Sequence, residues 1–273
     1  MFESEVLTLD VDGHVATLWL DRSDSRNALG RAFWCDLPRA AEFIANEPSI
    51  RAVVVAAKGS DFSVGLDLKE FGGSPFADSP GASHASANRR AYDAVRAMQG
   101  AVSAVANLEM PVIAAVHGYC IGGGVDLICA CDIRLCAEDA TFSVRETRVA
   151  IVADLGTLQR LPRIVGAGHV AELAYTGKDI DAARAKEIGL VNAIYLSADD
   201  VVTEALKLAG EIAANSPLAV RGTKAVLAAN DGRTVEEGLD FVARWNTLYL
   251  RSNDFHEAMA AFAQRRSPEF KGD

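Results

Sequence analysis

Apolar and polar positions change period along the chain. Glu5–Asp10 and His14–Leu20 alternate around Asp12-Gly13, predicting two strands joined by a tight hairpin. Ala52–Ala57 (Ala-Val-Val-Val-Ala-Ala) is a continuous apolar run, the pattern of a strand covered on both faces. Pro111–Val116 and Ile133–Cys136 read the same way. Arg31–Ala45 and Asn88–Ala106 carry the spacing of amphipathic helices. Gly72–Ser86 is rich in Gly, Ser and Pro and predicts a mobile surface loop, functional at this length. After about residue 155 the pattern is mostly helical. It predicts helices over Asp181–Ile188, Asp199–Ala214, Pro217–Ala229, Thr234–Leu250 and Asp254–Gln264. Strands covered by helices, then a helical tail, predict an α/β core over residues 1–195 and a C-terminal helical region over 196–273.

Half of the 273 residues are hydrophobic, ample for one large core. A net charge of -10 argues against a nucleic-acid surface. No apolar run reaches the roughly 18–20 residues of a membrane span. The opening Met-Phe-Glu-Ser-Glu-Val looks like neither a signal nor a transit peptide, and Phe270-Lys-Gly-Asp273 is not a Ser-Lys-Leu address. The expected compartment is therefore the cytoplasm. The five cysteines, odd in number and with apolar neighbours, are expected to be reduced and buried. Cys129-Ala-Cys131 lacks the spacing and the histidines of a metal site, so no metal is expected.

The candidate chemistry lies in the middle of the chain. A glycine run, Gly122-Gly123-Gly124, is followed by Asp126, then Glu146 and Asp154, in a mostly apolar segment. Glycines let backbone approach a ligand, and free amides at a helix start stabilise negative charge. Carboxylates beside an apolar pocket trade protons near neutral pH. Together they suggest proton transfer next to a carbonyl. Each residue also has a plainer reading. Asp126 could be a helix N-terminal charge, and Asp154 a cap of the next helix. Arg148 could pair with Glu146 or Asp154. His117 reads as a core or backbone-bonded histidine, and Trp34 and Trp245 as core or subunit contacts.

Several pieces in order resemble the crotonase, or enoyl-CoA hydratase/isomerase, superfamily. They are Arg26-Asn27-Ala28-Leu29, Asp61-Phe-Ser-Val-Gly65-Leu66-Asp67-Leu68, Pro111–Gly118, Ile121–Asp126 and Ser216-Pro217-Leu-Ala-Val. The resemblance implies a spiral of ββα units that binds an acyl-CoA thioester, with a C-terminal helical region that joins a trimer or a dimer of trimers. CoA would enter as part of the substrate, with no separate cofactor. By motif position, the amides of Leu66 and Gly123 would hold the thioester oxygen. Gly65 and Gly122 would bind the substrate beside them, and Arg26, Ala28, Asp67 and Leu68 would contact the CoA part.

Hydratases of this family usually carry glutamates at the positions of Asp126 and Glu146 and glycine at that of Asp154. Asp126, Glu146 and Asp154 together look like the Δ3,5-Δ2,4-dienoyl-CoA isomerases. The resemblance therefore implies that a 3,5-dienoyl thioester becomes a 2,4-dienoyl thioester. Glu146 would serve C2, Asp154 would serve C6, and Asp126 would hold a polar contact or a water. Three alternatives stay open: a hydratase acting on 2-enoyl-CoA, another crotonase-type isomerase or thioesterase, and a non-catalytic acyl-CoA-binding homologue.

Overall fold

A computed structural model describes residues 2–71 and 83–273. In chain order the strands are β1 (Leu7–Asp12), β2 (Val15–Leu20), β3 (Ala52–Ala57), β4 (Val112–Val116), β5 (Tyr119–Ile121), β6 (Ile133–Ala137), β7 (Thr141–Ser143), β8 (Ile180–Asp181) and β9 (Ala193–Tyr195). The helices of the N-terminal two thirds are α1 (Arg31–Ala45), α2 (His84–Ala106), α3 (Gly123–Cys129), α4 (Thr157–Arg160), α5 (Ala167–Thr176) and α6 (Ala182–Glu187). Those of the tail are α7 (Ala198–Ala213), α8 (Pro217–Ala229), α9 (Val235–Tyr249) and α10 (Asn253–Gln264).

The main sheet runs β1-β2-β3-β4-β6-β9, and only its first pair is antiparallel. A second layer, β5-β7-β8, stands beside it. The chain climbs as a spiral of ββα turns, the crotonase-like α/β architecture that the resemblance implied.

Alternation across β3 explains why the sheet is covered on both faces. Val53, Val55 and Ala57 join the core beneath α1 and α2. Ala52, Val54 and Ala56 point the other way, toward α7. That helix offers Val201, Ala205, Ala209 and Ala213, a stripe of small side chains four residues apart, so it lies flat on the strands. Although it falls after residue 196, α7 covers the second face of the main sheet. The helices α8 to α10 bury few residues, and their caps are local. Ser216, Thr234 and Ser252 each accept a bond from a first-turn amide. Thr234 and Glu237 complete a capping box.

Most of the expected Gly72–Ser86 loop lies outside the described residues. Its end is helical: Ser83 caps α2, whose first residue is His84 rather than Asn88. Cys35 is exposed, unlike the other four thiols, because it lies on the outer face of α1. All five cysteines are free, and burial pushes Cys129 and Cys131 up to about 12.

Candidate active site

Two neighbouring turns of the spiral build the site. In the second layer Ser63 bridges Cys120, and Leu66 bridges Leu29. The Ile121 amide donates to the Ser63 carbonyl at 2.9 Å, and the Ser63 amide donates to that of Tyr119 at 2.8 Å. This short ladder sets the segment ending at Leu66 against the glycine run. A Cβ on Gly65 would lie 2.8 Å from the Ile121 carbonyl oxygen and 3.6 Å from the Gly123 nitrogen. Gly65 also has φ +84° and Gly122 φ +52°, where a side chain is strained. Gly123 opens α3, close against the buried Leu29 and Trp34. Among the described residues, neither the Leu66 nor the Gly123 amide has a hydrogen-bond partner.

Both residues line an apolar cavity of about 150 Å³, with Met98, Ile151 and Leu155 on its walls. Among the described residues, two carboxylates reach it, Glu146 and Asp154. Glu146 starts a 3-10 turn just after β7. Its Oε2 is buried without a partner, and its Oε1 would lie 3.3 Å from a Cβ on Gly122. Burial, reinforced by the charge of Asp126, pushes Glu146 up to about 7. Asp154 precedes α4, and its backbone carbonyl accepts from Gln99 Nε2 at 2.6 Å. Burial raises its carboxyl as well.

Asp126 has a different position. It is 1% exposed on α3 and is not among the residues that line the cavity. Its Oδ1 accepts both the amide of Thr157, at 2.6 Å, and its hydroxyl, at 2.7 Å. Burial raises Asp126 to about 6 against the pull of these two bonds. It is thus Asp126, not Asp154, that satisfies the first amide of α4; Gly156, the capping residue, makes no side-chain bond. Thr157 carried no role in the sequence. Its only signal was a hydroxyl residue following Leu-Gly in an apolar stretch.

Arg148 pairs with neither carboxylate; its Nε donates to the Thr176 carbonyl at 3.4 Å. His117 is backbone-bonded, Nε2 lying 3.0 Å from the Gly59 carbonyl oxygen. Trp34 is buried and donates to the Leu29 carbonyl. Trp245 packs against Gly222 between α8 and α9.

Of the residues expected near the CoA part, Leu68 lines the cavity, whereas Arg26, Ala28 and Asp67 do not. Leu68 is exposed at 48% and lines the cavity. Arg26, at φ +53°, places its guanidinium over the Tyr119 ring at 4.9 Å and pairs with Asp61 at 2.7 Å. Burial opposes the charge of Asp61, yet the Arg26, Tyr119 and Ser60 hydrogen bonds win and hold it at about 2. The Ala28 carbonyl accepts from Arg22. The carboxylate of Asp67 is occupied, pairing with Arg22 at 2.6 Å and accepting the Lys69 and Glu70 amides.

The enoyl-CoA hydratase/isomerase family model matches residues 10–273. The chain belongs to this family. A peroxisomal Δ3,5-Δ2,4-dienoyl-CoA isomerase of Arabidopsis thaliana is 41% identical over 97% of the chain and 96% of that protein. A mitochondrial protein of the same name from Dictyostelium discoideum is 42% identical over 94% of the chain and 87% of its own length. The crystal structure of an enoyl-CoA hydratase from Bacillus anthracis superposes with a TM-score of 0.89 at 32% identity, covering 98% of this chain and all of that one. The family relatives correct one expectation. Those isomerases are named peroxisomal and mitochondrial, so the cytoplasmic assignment does not hold. Composition speaks to the core and to membrane spans, whereas compartments are chosen by receptor-read addresses. No helix among the described residues is long and apolar enough to cross a membrane.

Proposed function

We propose that this enzyme converts a 3,5-dienoyl-CoA into a 2,4-dienoyl-CoA. One observation carries the reading: Glu146 and Asp154 reach the same apolar cavity, beside the unpartnered amides of Leu66 and Gly123. Removing a proton from C2 of the thioester leaves a dienolate, with negative charge on the thioester oxygen. Two fixed amides stabilise that oxygen without reorganising, and losing one such donor costs roughly 10²–10³ in rate. Glu146 takes the C2 proton. The C2–H pair becomes the C2=C3 bond, the C3=C4 pair moves to C4=C5, and the C5=C6 pair takes a proton from Asp154 at C6. Apolar walls keep water from the dienolate, and the desolvating surroundings raise both carboxyls, Glu146 to about 7.

Asp126 positions rather than reacts. A hydratase would need it to share a water with Glu146, but its carboxylate is bound to Thr157 behind the cavity wall. A binding-only homologue gains nothing from a buried, unpartnered Glu146 oxygen, which is costly to keep. The CoA part arrives with the substrate and meets Arg26, Ala28 and Leu68 at the cavity mouth, with Asp67 fixing that loop from within.

The exposed apolar side chains of the tail favour self-association. Leu239, Leu248 and Phe262 are 58%, 76% and 84% exposed on α9 and α10. We assign the region after α7 to contacts with further copies in a trimer or a dimer of trimers, within the 196–273 segment. Absorbance separates the chemistries. Isomerisation of a 3,5-dienoyl-CoA extends conjugation and raises the near-UV band; hydration of a 2-enoyl-CoA removes it.

A further inference from the structure

The proton balance of this reaction leaves the site in the wrong state for a second turnover. After one forward transfer, Glu146 holds the C2 proton and Asp154 is ionised. Glu146 is the more buried of the two, so its surroundings favour keeping that proton where it is. Asp154 must therefore be supplied with a new proton.

A second cavity lies on the other side of Asp154. It encloses about 430 Å³ and is polar, lined by Arg96, Gln99, Ser103, Gln159, Arg160 and Arg163 as well as by Asp154. Among the described residues, only Asp154 and Leu155 line both cavities. Glu146 lines the apolar one alone. The polar walls are organised. Gln99 donates to the Asp154 carbonyl at 2.6 Å, and Arg96 donates to Gln99 Oε1 at 2.7 Å. Arg160 donates to the Ser103 hydroxyl at 2.9 Å and to the Leu155 carbonyl at 3.4 Å. Arg163 is turned outward to Asp231. A space this large with several polar partners holds water. Gln159 and Arg163 at its rim are exposed, so that water is continuous with solvent.

We propose that Asp154 recharges with solvent protons through this polar cavity, while Glu146 faces the apolar one alone. The proposal rests on the isomerase reading and assigns the Arg96–Gln99–Arg160 cavity as its proton entry. The two acids then differ in access rather than in kind. The proton given to C6 comes from bulk water, through water molecules standing between Ser103, Gln159 and Asp154. The proton taken from C2 stays on Glu146 until product leaves the apolar cavity.

The test runs the full-length protein with a 3,5-dienoyl-CoA in D2O. Deuterium at C6 of the first-formed 2,4-dienoyl-CoA is read by mass spectrometry and NMR. Two plugged variants, Ser103→Phe and Gln159→Trp, run alongside; they fill the floor and the rim of the cavity independently, so one that misfolds does not decide the result. The wild type is expected to place solvent deuterium at C6 in nearly every product molecule. Plugging is expected to lower turnover with KM unchanged, and to lose C6 deuterium as Asp154 draws instead on the C2 proton held by Glu146. Product without deuterium at C6 in the wild type would overturn the proposal alone. So would folded plugged variants with unchanged turnover and labelling. Failure to form any conjugated product would overturn the isomerase reading, and the proposal with it.

Discussion

Thr157 donates both its amide and its hydroxyl to one oxygen of Asp126, at 2.6 and 2.7 Å. The pair joins α3, which follows the glycine run, to α4, which follows Asp154. It therefore fixes the spacing between the amide of Gly123 and the carboxyl of Asp154. Thr157→Val keeps the amide bond but leaves a buried carboxylate short of a donor. It is expected to cost roughly 1–3 kcal/mol of stability in a urea melt. It should also lower kcat with little change in KM, and Thr157→Ser should restore both. A fall in KM-limited binding with kcat intact would contradict the positioning role.

The buried Glu146 gives a pH dependence of definite sign. Its folded value, about 7, lies above the ordinary 4.5. A carboxyl raised in this way binds a proton more tightly when folded. Its neutral form favours the native state below about pH 4.5, and that advantage is lost as pH rises through about 7. Glu146→Gln should therefore be more stable than the wild type at pH 8 and no more stable at pH 4. In the wild type, kcat/KM should rise with pH on a limb near 7 as Glu146 ionises, and the Gln variant should lack that limb. Thermal melts and pH–rate profiles read the two halves separately.

Gly65 has φ +84°, and a Cβ there would meet the Ile121 carbonyl oxygen at 2.8 Å. Neither strand of the short ladder has room to retreat, since both are tied by the Ser63 bonds. Gly65→Ala should push the Leu66 amide away from Gly123. The expected loss is roughly 10²–10³ in kcat, the cost of one oxyanion donor. A distant glycine with open space, Gly168, serves as the control, and its alanine variant should be unaffected.

The apolar face of α9 and α10 should be covered in solution. Leu248→Glu with Phe262→Glu is expected to shift the sedimentation coefficient toward that of the 29.0 kDa chain. An unchanged coefficient would mean that another face carries the assembly.

Much of the fold was legible because its long elements have a clear period. The alternation on either side of Asp12-Gly13, the apolar runs of β3, β4 and β6, and the helices that begin beside Asp181 and Thr234 all occur where the pattern put them. The elements that escaped include β9, α5 and the second strands of the spiral. β5, β7 and β8 have two or three residues each, too few to show alternation, and β5 ends directly before the glycine run. Those short strands are what bring Leu66 beside Gly123. The positions were readable from motif resemblance, whereas their contact follows from pairing of distant segments. The division of labour among the three acids was equally hidden. Asp126 and Asp154 look alike in the sequence, and only the turn into α4 gives one to Thr157 and the other to the cavity.

The most direct measurement follows the near-UV absorbance of a 3,5-dienoyl-CoA mixed with the protein, with Asp154→Asn and Glu146→Gln alongside. Growth of the conjugated-dienoyl band, cut by roughly 10²–10⁴ in each variant, is the predicted result. Contradiction would be a flat trace with the dienoyl substrate and hydration of a 2-enoyl-CoA that survives Asp154→Asn.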